Sequence, residues 1–317
     1  MISAERAKRF TEKYFPQGPE KLAEKLGVDI QESPLVGCDG WILSGPAGTL
    51  IRLNSKASQT RRRFTLAHEL GHLLLGVPTV VGESVYDSLR NNSAEERRVN
   101  DLAGELLLPE SIVRKYVPDV PVVAAELRKL AVKANVSELA AAIRVANLAD
   151  AIGLVNASVI FFKDDSLEWH WSKTLELQSS AAGELLQKVK AAYPEPVRIQ
   201  EDETDEVVVA SLINNPGYQY AILFVQLLPA EVGNAFSRDE VRRQLEKFLF
   251  KDDPQFRTQL QGVFGHFLPK CKGLTLEVGI AEFYTQKVPR WEGERRKRLE
   301  SAKGREYVRL RLEEWCL

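Results

Sequence analysis

The sequence predicts an α+β fold: a mainly helical N-terminal region with a small sheet, a helix-turn-helix-like helical extension, and a C-terminal α/β domain of unrecognised type. Three observations predict it. Apolar residues recur at helical spacing through most of residues 4–149. From residue 157 the texture changes to short apolar runs between turn residues, alternating with amphipathic stretches. The length of 317 residues fits about two domains, each able to bury its own core.

Residues 4–14 and 19–26 read as short amphipathic helices. Residues 41–43 and 49–54 read as strands across a Gly45-Pro46-Ala47-Gly48 turn. A long helix spans 58–75, stopped by Gly76 with Pro78 just beyond. Another begins near Ser93 and ends before Pro109. Two more, over 122–134 and 137–149, are joined by Asn135-Val136-Ser137. A hairpin of 159–162 and 167–171 and a helix over 181–192 follow. Strands at 207–213 and 218–228 flank an Asn214-Asn215-Pro216-Gly217 turn. Helices at 238–250 and 254–267, a strand at 274–284 and a charged terminal helix complete the chain. Five of residues 201–206 are acidic, so that loop is expected to stay solvated. The main boundary is expected near Asn156.

Composition limits the classes of function. Lys and Arg number 43 against 44 Asp and Glu, a net charge of -1. That excludes a generally basic nucleic-acid coat but leaves room for a local basic face. Cys38, Cys271 and Cys316 are odd in number and far apart, so neither a disulfide framework nor a four-cysteine zinc site is available. Residues 1–14 are charged and lack the apolar stretch of a signal peptide. No run reaches the length of a spanning helix. The expectation is a cytoplasmic protein without a membrane partner.

Only four histidines are present, and two of them, His68 and His72, form H-E-x-x-H with Glu69. On a helix both imidazoles lie on one face, one turn apart, and can reach a single ion. Zinc suits such an open, nitrogen-rich site and lowers the pKa of its water towards ~7. Glu69 would take that proton and pass it to the leaving amine. The rival reading is an accidental pairing of surface histidines. The apolar stripe of Leu66, Leu70, Leu73 and Leu74 argues against it by burying the helix's other face.

A catalytic zinc needs a third protein ligand, and His170 and His266 lie in the other half. The helix beginning at Ser93 offers Glu95 and Glu96. Glu96 and Asn100 share a helix face, so Glu96 could ligate while Asn100 orients a ligand. Ser93-x-x-Glu96 also fits a capping box, which would leave Glu95 as the rival ligand.

These residues resemble the ImmA/IrrE family of bacterial metallopeptidases. The segment from Arg63 to Leu75, R-F-T-L-A-H-E-L-G-H-L-L-L, is similar to the family's signature. The run from Glu96 to Pro109 is similar to its downstream motif, with Val99, Leu102 and Leu108 as departures. The resemblance covers about residues 20–155. It implies that Glu96 is the third metal ligand in a gluzincin-like arrangement and that Asn100 supports a ligand. It implies a zinc peptidase domain over 1–118 and a helix-turn-helix-like extension over 119–156; the C-terminal α/β domain over 157–317 resembles no family, and its sequence permits a sensory or regulatory role without demanding one. The resemblance also implies a zinc endopeptidase, with Mn2+ as the alternative metal. Its substrate would be a helix-turn-helix repressor of the XRE type, cut in a stress or mobile-element response. The strand at 49–54 would then be an edge strand that an extended substrate could join. Tyr86 and the arginines at 61–63 are candidates for oxyanion stabilisation, set against solvated charges at a helix start.

The helix over 137–149 carries one Arg and no Lys, too few donors for reading DNA, so a structural role is favoured. Some relatives carry a GAF-type domain where residues 157–317 fall. Trp169 and Trp171 are expected to share a strand face, with His170 opposite. His266 reads as a satisfied helix residue. The basic run 290–311 is interspersed with glutamates and reads as a paired, solvated helix rather than a nucleic-acid surface. The competing function is a non-proteolytic regulator whose peptidase-like domain binds a repressor or DNA.

Overall fold

The computed structural model describes residues 3–78, 93–117, 121–152, 156–172, 179–200, 205–214, 218–234, 236 and 238–316. Backbone contacts divide the chain into Met1–Ala235 and Phe236–Leu317.

In the first unit, α1 (Ala4–Lys13) and α2 (Gly18–Leu26) lead into β1 (Val28–Ser33), β2 (Gly40–Gly45) and β3 (Gly48–Asn54). The sheet order is β1-β3-β2, with β1 parallel and β2 antiparallel to β3. The strand expected at an edge is therefore the central one. β1 gives only a weak sequence signal, because its apolar alternation, Val28-Asp29-Ile30-Gln31, ends at Glu32 after two apolar residues. Only Val28 is buried, and backbone pairing with β3 makes the segment a strand.

Among the described residues five helices follow: α3 (Gln59–Leu75), α4 (Ala94–Leu107), α5 (Glu110–Tyr116), α6 (Ala124–Ala134) and α7 (Glu138–Asn147). Asn135, at φ 52, turns the chain between the last two. Left-handed backbone there is tolerated by the short polar side chain of Asn.

An antiparallel sheet comes next, built from β4 (Asn156–Lys163), β5 (Ser166–Ser172), β6 (Val197–Gln200), β7 (Glu206–Leu212) and β8 (Tyr220–Pro229), with helix α8 (Ser179–Ala192) between β5 and β6 and the short α9 (Ala230–Gly233) after β8. The strand order is β5-β4-β8-β7-β6. Asp164 and Asp165, both at positive φ, make the expected β4–β5 turn. Alternate residues face opposite ways. Val159, Val209 and Phe224 join the core that contains the N-terminal helices. Ile160, Leu223 and Val225 pack against Leu186 and Val189 of α8.

The boundary expected at Asn156 consequently does not coincide with the division in the structure. One face of this sheet completes the core of the helices before it, and the break falls after α9. Gln226, fully buried on β8, accepts from Val122 N–H at 2.8 Å and donates to Val122 O at 2.6 Å. Gln226→Leu would leave both backbone groups buried and unpaired. It is expected to destabilise this unit by about 2–4 kcal/mol, read as a lowered urea midpoint; an unchanged midpoint would show the contact to be dispensable.

The second unit is helical throughout its described residues: α10 (Arg238–Phe250), α11 (Pro254–Phe267), α12 (Leu276–Gln286), α13 (Gly293–Glu300) and α14 (Ala302–Cys316), with short 3-10 turns between. Its core is aromatic, with Phe256, Phe264, Phe267, Phe283 and Tyr307 buried. The strand expected at 274–284 is α12. Leu276, Ile280 and Phe283 meet the core at helical spacing, and Thr275 caps the helix by accepting from Val278 N–H. The α/β domain expected over 157–317 is thus a sheet belonging to the first unit followed by a separate helical unit.

The basic run is paired, as expected. Arg296 meets Glu300, Lys297 meets Glu294, and Arg295 reaches Asp253 at 2.6 Å. Most of the acidic loop (201–204) and the 215–217 turn lie outside the described residues. Among the described residues, no helix is long and apolar enough to cross a membrane.

Candidate metal centre

Helix α3 begins where Ser58 accepts a hydrogen bond from Arg61 N–H and ends at Gly76, whose φ of 66 suits a residue without Cβ. Leu66, Ala67 and Leu70 anchor it in the core. One turn apart on this helix, the Nε2 atoms of His68 and His72 face each other at 3.1 Å. The turn after Gly76 also brings the Val77 carbonyl back, 3.2 Å from His72 Nδ1. That carbonyl can only accept, so Nδ1 carries the proton and Nε2 the lone pair. His68 Nδ1 lies 3.0 Å from Asn100 Oδ1, which sets the same tautomer.

Helix α4 crosses α3 closely at Gly71, where a Cβ would sit 3.1 Å from Val99 Cγ1 and 3.2 Å from Val99 O. This approach brings the Glu96 carboxylate within 3.6 Å of both His68 Nε2 and His72 Nε2. Ser93 caps α4 by accepting from the backbone N–H of Glu96. Capping and ligation therefore use different atoms of Glu96 and do not compete. Glu95 is exposed.

His68, His72 and Glu96 offer ligand atoms within 4.8 Å of one another, and all three are buried. Two imidazole lone pairs at this separation, beside a carboxylate, repel unless a cation lies among them. Burial, reinforced by His72, lowers the His68 pKa to about 4, so the ring is neutral at pH 7. Burial, then the Glu96 charge, pushes Glu69 up to about 7. A cation nearby would pull it down again. Glu69 Oε2 is buried and has no hydrogen-bond donor among the described residues. The residues therefore fit a metal ion, and this donor set suits zinc or manganese. Glu96→Ala is expected to weaken metal binding about 100-fold or more, beyond the usual effect of losing a supporting group. Glu95→Ala should leave it unchanged. Metal content after dialysis against a graded chelator reads the difference, and the reverse ranking would move the ligand to Glu95.

The other expected residues are placed differently. Tyr86 lies outside the described residues. The arginines at 61–63 are not merely solvated. Arg61 grips Asp39 through two bonds of 2.8 and 2.7 Å, and Arg62 donates to Ala57 O at 2.6 Å. Arg63 is buried and binds Glu20, Pro16 O, Ala134 O and Asn135 O. Arg144, the one cation of the would-be recognition helix α7, is buried against Glu105 and Leu108 O. His170 and His266 are exposed, while Trp169 and Trp171 are half-buried on one strand face. Sequence reasoning missed Val77 and the close approach at Gly71. The glycines at 71 and 76 were visible signals, but what they allow depends on the fold.

A helix bearing H-E-x-x-H, with a carboxylate brought in from the helix that begins at Ala94, is the arrangement that the resemblance implies for a gluzincin-like metallopeptidase centre. Residues 23–146 match the family model described as IrrE N-terminal-like domain, in line with the resemblance of this segment to the ImmA/IrrE peptidases. The radiation response metalloprotease IrrE of Deinococcus radiodurans is 34% identical over 119 residues, 37% of this chain and 36% of that protein. The radiation response metalloprotease IrrE of Deinococcus deserti is 31% identical over 114 residues, 35% of this chain and 40% of that protein. The match thus spans well under half the length of either relative. A solved Mycobacterium tuberculosis transcriptional regulator superposes with a TM-score of 0.48 at 14% identity, covering 70% of this chain and 74% of that one. A likeness of that size decides nothing about function.

Proposed function

We propose that this protein is a metal-dependent endopeptidase, zinc being the expected ion and manganese the alternative. The observation that carries the reading is the Glu69 carboxylate, buried beside the His68–His72–Glu96 cluster on the helix that supplies both histidines. When bound, the ion would polarise a peptide carbonyl and acidify a water. His68, His72 and Glu96 would hold it, with Asn100 and the Val77 carbonyl fixing the imidazole tautomers. Glu69 would accept the proton from the attacking water and return it to the leaving amine. Burial of this carboxylate opposes the pull of the ion on its pKa, which suits it to both halves of that transfer.

The expected substrate is a helix-turn-helix repressor of the XRE type. Its cleavage in the cytoplasm would release genes of a stress or mobile-element response. The family resemblance and the relatives' radiation-response names support this reading. DNA readout by α7 is disfavoured, because its one cation is buried in an internal ion pair. Since β3 is central, an extended substrate would have to pair with an edge strand. β2 is the better placed, because Gly40 lies against Thr65 of α3. Co-expression with the repressor encoded by a neighbouring gene tests the proposal. The expected result is one discrete cleavage, lost on chelation. An intact repressor that co-purifies with the metal-loaded protein would instead favour the non-proteolytic regulator.

A further inference from the structure

We propose that the cleft between α4 and α7 selects the substrate, by taking up a bulky apolar side chain of the peptide next to the bond presented at the metal centre. The assignment rests on the peptidase reading for the identity of its occupant. The cleft lies wholly within the first unit and has a volume of about 340 Å³. That is within the roughly 300–1,000 Å³ typical of pockets that enclose a ligand. Phe64, Leu107, Leu139, Ile143, Trp171 and Tyr220 form its apolar lining.

Its position ties it to the metal centre. The Phe64 ring stacks on His68 at 6.2 Å between centroids. Asn100, which also lines the cleft, holds His68 Nδ1 at 3.0 Å. One end of the cleft is therefore built from residues in contact with a metal ligand. The occupant we assign to it is a side chain of the same peptide, beside the bond presented at the ion.

Charge decides the class of occupant. The two cations of the lining are already engaged, Arg61 by Asp39 and Arg144 by Glu105 and Leu108 O. Asn147 accepts from Trp171 Nε1 at 2.8 Å and donates to Asp101, an exposed carboxylate in the lining. An acidic side chain entering here would lose its water and find its cationic partners occupied. An aliphatic or aromatic one would only exchange water for Leu139, Ile143 and Phe64. Helix α7 thereby gains a function that does not involve DNA: it forms the far wall of the cleft.

The test uses the full chain loaded with zinc and peptides that vary one position at a time around a central bond among Leu, Phe, Asp and Lys. Binding is read by fluorescence anisotropy in a Glu69→Gln background, and turnover in the parent protein. Leu or Phe at one flanking position is expected to improve both by about tenfold or more over Asp. Ile143→Asp should remove that preference while metal content and circular dichroism stay the same. Ala140→Leu, which narrows the cleft without adding charge, should reject Phe before Leu and guards against misfolding of the first variant. Absence of any apolar preference, or its persistence in both variants, overturns the proposal. Preferential binding without turnover would support the cleft and defeat the peptidase reading. Turnover without preference would do the opposite.

Discussion

Glu69→Gln is expected to retain the metal ion and to lose about 10²–10⁴-fold in kcat, the usual contribution of a positioned acid–base group. The substitution keeps the shape of the side chain and removes its ability to take a proton. The proposed ligand atoms belong to His68, His72 and Glu96, so metal content should stay the same. Measuring both quantities on one preparation separates this role from a structural one. Equal cleavage by the variant would show that another group handles the proton, whereas loss of metal would make Glu69 part of the ligand set. Burial and the Glu96 charge raise Glu69 to about 7. Replacing it with a neutral amide also removes a destabilising charge, so thermal stability of the metal-free protein at high pH should not fall.

Arg63→Ala should cost about 3–5 kcal/mol of stability, because it leaves several buried acceptors without donors at once. The guanidinium bonds Glu20 Oε1 at 2.5 Å, Ala134 O at 2.7 Å and Asn135 O at 2.6 Å, and it also reaches Pro16 O. It thereby fastens α3 to α2 and to the end of α6. The Glu20 side chain is 39% exposed and can be rehydrated, so most of the cost comes from the carbonyls. Arg63→Lys should recover only part of it, since an ammonium cannot fork towards several acceptors in one plane. Urea unfolding followed by circular dichroism measures the difference. A loss below about 1 kcal/mol would mean that water replaces the guanidinium, since a buried acceptor without a partner costs at least that much.

The metal-site residues were far more legible in the sequence than the parts that complete the site. H-E-x-x-H carries its own geometry, because any α-helix stacks positions four apart. The choice between Glu95 and Glu96 was not local. Both lie in the first turn of α4, and the crossing at Gly71 brings Glu96 to the histidines. The role of the arginines was equally hidden, since adjacent cations at a helix start look the same whether solvated or locked. β1 was faint for a related reason: its pairing lies in the backbone, and its side chains are mostly exposed and polar. The segment 274–284 was ambiguous between periods, and the aromatic core around Phe283 decided for the helix.

By itself the sequence determined the mainly helical character of residues 4–149, the hairpins that follow, and the two histidines with their glutamate. Each follows from short-range spacing, which fixes how a helix or strand orients its side chains. Tertiary structure alone decided that β3 is central, that the sheet after Asn156 closes the core of the preceding helices, and that Arg144 faces inward. Those outcomes depend on which surfaces bury one another. Contacts between residues tens of positions apart leave no periodic trace in the chain.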